Sequence, residues 1–263
     1  MSLSIIMPVY NERRMLGVVL VAVSRALPTV AKEIIIVDDC STDGTREWLK
    51  ANFPDGARSG AEIALDSYGN LALAPCTTSA RVTVRPIYQE RNKGKGGALQ
   101  TGFAAAAGDV VVIQDAGLEY DPQDWAAMYD LIAVRQIADV VYGSRFYGRP
   151  HRSLAFYHFL GNRAISILFT ILFNQTLTDV ETCYKMMTRE VARALRLSVN
   201  DFGVEIDIGA QIVRQRQLRI YELGITYYGR TYSGGKKTNW KDGVKALWYL
   251  VKFRFFRREP RSL

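Results

Sequence analysis

Histidine and cysteine are scarce in this chain, at 2 and 3 of 263 residues. Cys40, Cys76 and Cys183 are odd in number, far apart and without ligand spacing. That excludes a disulfide framework and a zinc centre, and it fits a reducing compartment. Long apolar runs are missing too. The most apolar stretch, Ala164 to Phe173, is about half the ~20 residues of a membrane span. No basic segment followed by a hydrophobic one opens the chain, so no secretory leader is expected. Three further absences narrow the chemistry. No G-x-G-x-x-G follows the first apolar run, which speaks against a dinucleotide dehydrogenase. No G-x-x-x-x-G-K-[ST] is present, which speaks against a P-loop ATPase. No G-x-S-x-G elbow is present, which speaks against a serine hydrolase.

What is there belongs to a globular protein: 48% apolar and 23% charged residues. The formal net charge of +8 is unevenly spread. Residues 1–144 hold 13 Lys/Arg against 17 Asp/Glu, and residues 145–263 hold 21 against 9. The basic half calls for an anionic partner: nucleic acid, a phosphorylated substrate or a membrane surface. Nucleic acid ranks last, because no recognition motif is present and the basic residues interleave with apolar ones.

Apolar runs alternate with helical patterns. Ser4 to Val9, Glu33 to Val37, Val82 to Tyr88, Asp109 to Gln114 and Ala138 to Tyr142 read as buried strands. The intervening helices follow Asn11, read as an N-cap, and Gly44, or open at Gly96 and at Asp121-Pro122. This rhythm predicts an α/β fold with a mostly parallel sheet and right-handed crossovers. Residues 52–80 break it and read as a surface insertion. Beyond Ser144 come a Phe/Leu/Ile-rich helix from Leu154 to Phe173, a short strand at Cys183 to Met187, and helices at Glu190–Leu197 and Val204–Gln215. A strand from Arg219 to Tyr227 and a basic aromatic helix from Gly243 to Arg258 follow.

In an open parallel sheet, ligands bind at the carboxyl ends of the strands. Tyr10-Asn11-Glu12, Asp38-Asp39 and Asp115 all fall there. Each alone could simply end a strand or cap a helix; together they point to one edge. The loop Arg91 to Gly97 opens a helix and could hold an anion through the helix terminus and Lys95. Asp115 and Glu119 are oxygen ligands of the type Mg²⁺ or Mn²⁺ prefers.

The segments SIIMPVYNE, EIIIVDDCSTDGT, ERNKGKGGALQTGF and GDVVVIQDAGLEYDP resemble family 2 glycosyltransferases of the GT-A fold. TDVETCYKM, FGVEIDI and ITYYGRTYSGGKK look like the polyprenyl-phosphate (dolichyl-phosphate) hexosyltransferase branch. The resemblance implies a single GT-A (Rossmann-like) domain over residues 1–263 with C-terminal helices at a membrane interface. Residues 1–144 would bind the nucleotide sugar and residues 145–263 the acceptor. Pro8, Tyr10, Glu12 and Asp39 would hold base and ribose. Asp115, Ala116 and Gly117 stand where the family's metal motif lies, and Asp115 and Glu119 would bind Mg²⁺ or Mn²⁺ bridging the donor diphosphate. Arg230 and Lys236 would clamp that diphosphate, with Lys95 as a further donor contact. Arg145 and Arg163 would face the acceptor phosphate, so that Asp115, Arg145 and Arg230 carry the reaction.

One departure stands out. The family motif is Asp-x-Asp, and position 117 is glycine. Three explanations compete: a metal site using Asp115, Glu119 and phosphate, a weakly active or non-catalytic nucleotide-sugar-binding protein, or a laboratory or sequencing variant. Independently of position 117, the acceptor is a lipid phosphate or a hydroxyl on a lipid or polysaccharide. Asp179 and Glu181 would be available for a hydroxyl, or serve as positioning acids. The donor is GDP-mannose, UDP-glucose or UDP-N-acetylglucosamine. The expected location is the cytoplasmic face of an anionic membrane, held peripherally.

Overall fold

The computed structural model describes residues 1–60, 62–66, 69–74, 81–148, 156–201, 203–229 and 240–256. The first half alternates as expected: β1 (Leu3–Val9), α1 (Leu16–Arg25), β2 (Lys32–Asp38), α2 (Thr45–Asn52), the insertion strands β3 (Arg58–Gly60), β4 (Glu62–Leu65) and β5 (Leu71–Ala74), then β6 (Val82–Tyr88), α3 (Gly94–Ala105) and β7 (Val110–Ile113). A 3-10 turn at Pro122–Asp124 leads into α4 (Trp125–Tyr129). There the Asp121 side chain accepts from Gln123 N at 3.0 Å, the cap expected of Asp-Pro. The second half runs β8 (Val140–Ser144), α5 (Phe156–Phe173), β9 (Lys185–Thr188), α6 (Arg189–Ala194), α7 (Val204–Arg214), β10 (Ile220–Gly224) and α8 (Trp240–Phe255).

Eight strands form one sheet in the order β10-β8-β9-β7-β1-β2-β6-β3. Ile5, Ile6, Met7, Ile34, Ile35 and Ile36 are all fully buried, so the central strands are covered on both faces. This is the environment in which unbroken β-branched runs are stable as parallel strands. β1 pairs in parallel with β2 and β7, β2 with β6, and β8 with β10. Only β9 and β3 run the other way, β9 between β7 and β8 and β3 on the β6 edge. The parallel strands therefore deliver their carboxyl ends to one edge. Because β9 is antiparallel, it begins at that edge, so the residues leading into it, 179–184, join the ends of β1, β2, β6, β7 and β8. This is the GT-A arrangement, a mostly parallel central sheet flanked by helices.

Two local readings are corrected. Asn11 does not cap α1, whose N-cap position is Met15. Asn11 instead sits in the left-handed region at φ 56°. It donates through N to Ser41 Oγ at 3.0 Å and accepts from Thr42 N at 2.8 Å. Asn tolerates that conformation, and here it ties the loop after β1 to the loop after β2. Residues 52–80 are also more ordered than their composition implies. β3 extends the sheet, while β4 and β5 form a hairpin whose Ile63 and Leu71 are buried. Leu71 N donates to Asn52 Oδ1 at 2.7 Å and Trp48 Nε1 to Gly69 O at 3.3 Å, so α2 holds the hairpin down.

Lys32, at the start of β2, is 4% exposed and donates to the carbonyls of Ser24 and Ala26 at the end of α1. A cation suits a helix C-terminus, but burial lowers its pKa from 10.5 to about 8. Between these values the unfolded chain binds a proton that the folded chain does not. Lys32 therefore makes stability rise with pH across that window, by on the order of 3 kcal/mol at most. Chemical unfolding of the wild type and Lys32→Met from pH 7 to 10.5 checks this. The difference in their unfolding free energies should shift in favour of the wild type as pH rises.

Candidate active site

Two of the sequence-predicted acids part company at the end of β2. Asp38 is fully buried and paired with Arg46, whose Nη2 also donates to Gln89 O at 2.6 Å. Asp38 thus fastens the β2 and β6 ends together. Asp39 faces the site edge, and its Oδ1 accepts from Lys93 N at 2.7 Å. Burial raises the Asp39 pKa, while the Lys93 and Gly94 amides partly offset the shift. Tyr10 is exposed, Pro8 and Glu12 are half-buried, and Glu12 N donates to Thr45 Oγ1 at 3.2 Å. A cavity of about 390 Å³ opens beside the β6 end, lined by Tyr88, Gln89, Glu90, Arg91, Lys93 and Thr101. Both polar atoms of the Gln89 amide are buried and lack a partner among the described residues. A planar donor–acceptor edge, such as a nucleobase presents, would satisfy them.

The glycines of the 94–97 turn serve a close approach. Gly94 lies at φ 70°, and a Cβ at Gly96 would stand 1.8 Å from Val199 O. Gly96 N donates to Asn200 O at 3.2 Å, so one amide at the start of α3 is already taken. Lys95 points the other way. Its Nζ is 2.8 Å from Asp115 Oδ1 and 2.9 Å from Glu205 Oε1, and Glu205 in turn pairs with the buried Lys185. Burial opposes the charge on Lys95, but Asp115 and Glu205 override it and hold the pKa well above the usual lysine value. Burial likewise pushes Asp115 up, and Lys95 outweighs it, leaving the carboxyl below its ordinary value. The Cys183 thiol beside it is pushed well up by burial.

On the other side of the edge, Arg145 Nε and Nη2 each lie 2.6 Å from the Asp179 carboxylate, and Arg145 N donates to the same group at 3.0 Å. Arg163 Nη1 donates to Thr178 O at 3.4 Å. Both guanidinium groups lie over Phe146, at 5.9 and 5.7 Å, and Arg145 also over Tyr227 at 5.5 Å. Tyr227 packs on Tyr120, and Tyr228 N donates to Glu119 O at 2.8 Å. The chain leading to position 230 thus crosses Glu119. Arg230 and Lys236 themselves lie outside the described residues. Glu181 is half-buried, and burial raises its pKa to about 7.

The structure brings Asp39, Lys95, Asp115, Arg145 and Arg163 to one edge. Sequence reasoning missed Lys185 and Glu205. A lysine inside a buried strand and a glutamate at a helix start gave the only hint, since each needs a partner. Ala116 and Gly117 are buried and bring no carboxylate. Among the described residues no group of three or more His, Cys, Asp or Glu could hold a metal ion. Asp115 and Glu119 are carboxylates of the type Mg²⁺ takes, one or two at a time, beside phosphate oxygens and water, but Asp115 Oδ1 is engaged by Lys95 at 2.8 Å.

Residues 4–60 and 74–196 match the sequence model of "Glycosyl transferase family 2". The chain is 25% identical over 230 residues to the dolichol-phosphate mannosyltransferase of Pyrococcus furiosus, covering 86% of this chain and 56% of that protein. It is 25% identical over 255 residues to the UDP-N-acetylglucosamine–dolichyl-phosphate N-acetylglucosaminyltransferase of Methanococcus voltae, covering 95% of each. Against the undecaprenyl-phosphate 4-deoxy-4-formamido-L-arabinose transferase of Yersinia enterocolitica, the chain spans only 51% of that protein's length. In fold it is similar to glucosyl-3-phosphoglycerate synthase from Mycobacterium tuberculosis, solved with Mn²⁺, UDP and phosphoglyceric acid. The TM-score is 0.66 at 16% identity, over 98% of this chain and 80% of that one.

Removing Lys95 leaves Asp115 without its cation and Glu205 with one. Lys95→Met should lower unfolding free energy by about 1–2 kcal/mol, between a buried and an exposed pair because the Asp115 side chain stays partly solvated, read by urea denaturation at pH 7. An unchanged midpoint would show that the pair contributes nothing.

Proposed function

The chain belongs to glycosyl transferase family 2, and on that footing we propose that it transfers a hexose from a nucleotide sugar to a polyprenyl phosphate at a membrane surface, with inversion. The observation that carries the reading is the pairing of two unlike sites on one edge: acids and an unpaired amide at Asp39, Asp115 and Gln89, and two arginines converging at Phe146. The names of the archaeal relatives support the lipid-phosphate acceptor.

Asp39, Pro8, Tyr10, Glu12 and Gln89 hold the base and ribose. Arg230 and Lys236 are the cations available to the diphosphate, while Lys95, expected from the sequence to be a donor contact, is engaged by Asp115 and Glu205. A divalent ion, when bound by Asp115, Glu119 and diphosphate oxygens, supplies charge neutralisation for the leaving group. Arg145 and Arg163 seat the acceptor phosphate. An oxygen of that phosphate, already ionised, forms the bond to the anomeric carbon as the carbon–diphosphate oxygen bond breaks. No proton needs removing, so positioning and electrostatic stabilisation provide the catalysis. One displacement inverts the centre. The donor is a GDP-mannose or UDP-glucose type nucleotide sugar.

A second reading has one observation in its favour. A carboxyl near pKa 7, as at Glu181, is what a general base for a hydroxyl acceptor needs. Glu181→Gln separates the two. Transfer to polyprenyl phosphate should stay within about threefold, whereas a hydroxyl acceptor would lose about a hundredfold or more.

α5 and α8 carry the membrane reading. Ile171 is 70% and Phe256 81% exposed, and Leu160, Ile167, Trp248, Val251 and Phe255 are exposed as well. Lys252 lies 4.7 Å over Trp248. No helix among the described residues is long and apolar enough to cross a membrane. An apolar and basic surface suits interfacial binding to anionic lipid such as the cytoplasmic leaflet offers.

Three outcomes are expected. Labelled GDP-mannose, UDP-glucose and UDP-N-acetylglucosamine, each with polyprenyl phosphate and Mg²⁺ or Mn²⁺, should give one glycolipid by mass spectrometry; binding of donor without product would favour the non-catalytic reading. Gly117→Asp should tighten ion-dependent nucleotide binding by calorimetry. Sedimentation with anionic vesicles should be strong at low salt and weak in 0.5 M salt, with Debye screening to a few ångströms.

A further inference from the structure

The two arginines depend on one short turn, residues 178–179, and that turn has no regular structure to hold it. Its support comes from β10, at the edge of the sheet. Thr178 N donates to Glu222 Oε1 at 2.9 Å and to Oε2 at 3.1 Å, and Asp179 N donates to Oε1 at 3.1 Å. The register of β10 on β8 pairs Glu222 with Tyr142 and Gly224 with Ser144. Ser144 Oγ is 2.8 Å from Thr178 Oγ1, so the strand that leads into Arg145 and the strand that carries Glu222 grip the same turn. Beyond the turn, Asp179 is fully buried and takes Arg145 through two side-chain bonds and one backbone bond. Thr178 O takes Arg163.

We propose that Glu222 is a positioning residue: its carboxylate pins the amides of Thr178 and Asp179, and through them aims the Arg145 and Arg163 guanidinium groups at the anion that binds there. Among the described residues the Glu222 carboxylate bonds to the amides of Thr178 and Asp179 and to neither arginine. Its charge matters because a carboxylate accepts amide bonds more strongly than a neutral group does. Gln keeps the Oε1 acceptor that both amides share but sets an NH₂ against Thr178 N, so it should act as a partial replacement. The identity of the anion as an acceptor phosphate rests on the function proposed above; the positioning role does not.

The test compares Glu222→Ala, Glu222→Gln and Asp179→Asn, alone and combined, in the full chain. One readout is the Arg145 Nε–H signal in ¹⁵N NMR, assigned by its loss in Arg145→Lys. It should be sharp in the wild type, displaced in Glu222→Gln and broadened in Glu222→Ala. The other readout is kinetic. The KM for polyprenyl phosphate should rise about tenfold or more in Glu222→Ala and less in Glu222→Gln, with Kd for GDP and UDP unchanged. In the Asp179→Asn background, Glu222→Gln should add little. An unchanged Arg145 signal in Glu222→Gln, effects that add in full across the double variant, or equal losses of nucleotide and acceptor affinity would each overturn the proposal. If wild-type chain turns over no polyprenyl phosphate, the acceptor reading fails while the NMR arm still decides the role of Glu222.

Discussion

A ladder of alternating charge, Asp115–Lys95–Glu205–Lys185, runs from a partly exposed carboxylate to a buried ion pair and joins the two halves of this molecule. Asp115 and Lys95 belong to the acidic half, Glu205 and Lys185 to the basic one. Glu205 and Lys185 could not be desolvated alone, since an unpaired buried charge is strongly destabilising, and Lys95 and Asp115 extend that pairing toward the site edge. Each therefore requires the next, and the loop after β7, the first turn of α3, the start of α7 and β9 must meet in one arrangement. The ladder also settles the chemistry of Asp115, which stays ionised in a partly enclosed place because Lys95 faces it.

The antiparallel course of β9 gives the ladder its consequence. Were β9 parallel, residues 179–184 would emerge at the far edge, and Arg145 would end its strand with no carboxylate beside it. Running backwards between β7 and β8, β9 starts where its neighbours stop. That puts Asp179, Glu181 and Lys185 among the ends of the parallel strands. The unpaired Gln89 amide lies toward the end of β6, and Arg145 and Arg163 converge at Phe146 on the β8–β10 side. In the reaction proposed above, a nucleotide sugar and an anionic acceptor would approach from these two sides and meet at Asp115.

Much of this was legible in the residues. Ile34 to Val37 and Val110 to Ile113 are β-branched runs with room for no other reading in a two-face-covered sheet, and Asp121-Pro122 marks its helix by local chemistry alone. Asn11 was misread because Asx residues serve both caps and left-handed turns, and only the neighbouring loop decides between them. The β4–β5 hairpin was hidden by composition, as its order comes from Asn52 and Trp48 in α2 rather than from its own residues. β9 is four residues long, too short to show direction. The pairings Lys95–Glu205, Arg145–Asp179 and Glu222–Thr178 join positions tens of residues apart or more, so no local spacing announces them. Gly94 and Gly96 were visible as a glycine turn, but the reason for them, the close pass of residues 199–200, is tertiary.

The proposed function requires two separate anion sites on one sheet edge, a nucleotide site in residues 1–144 and an acceptor site formed by Arg145, Arg163 and the 178–179 turn. Amide hydrogen exchange, followed separately with a nucleoside diphosphate and with polyprenyl phosphate, tests it most directly. The diphosphate should slow exchange around residues 38–40, 89–97 and 115–119, and the lipid phosphate around 144–146 and 178–182. Protection of a single shared segment by both ligands would mean that the edge holds one anion site and not two.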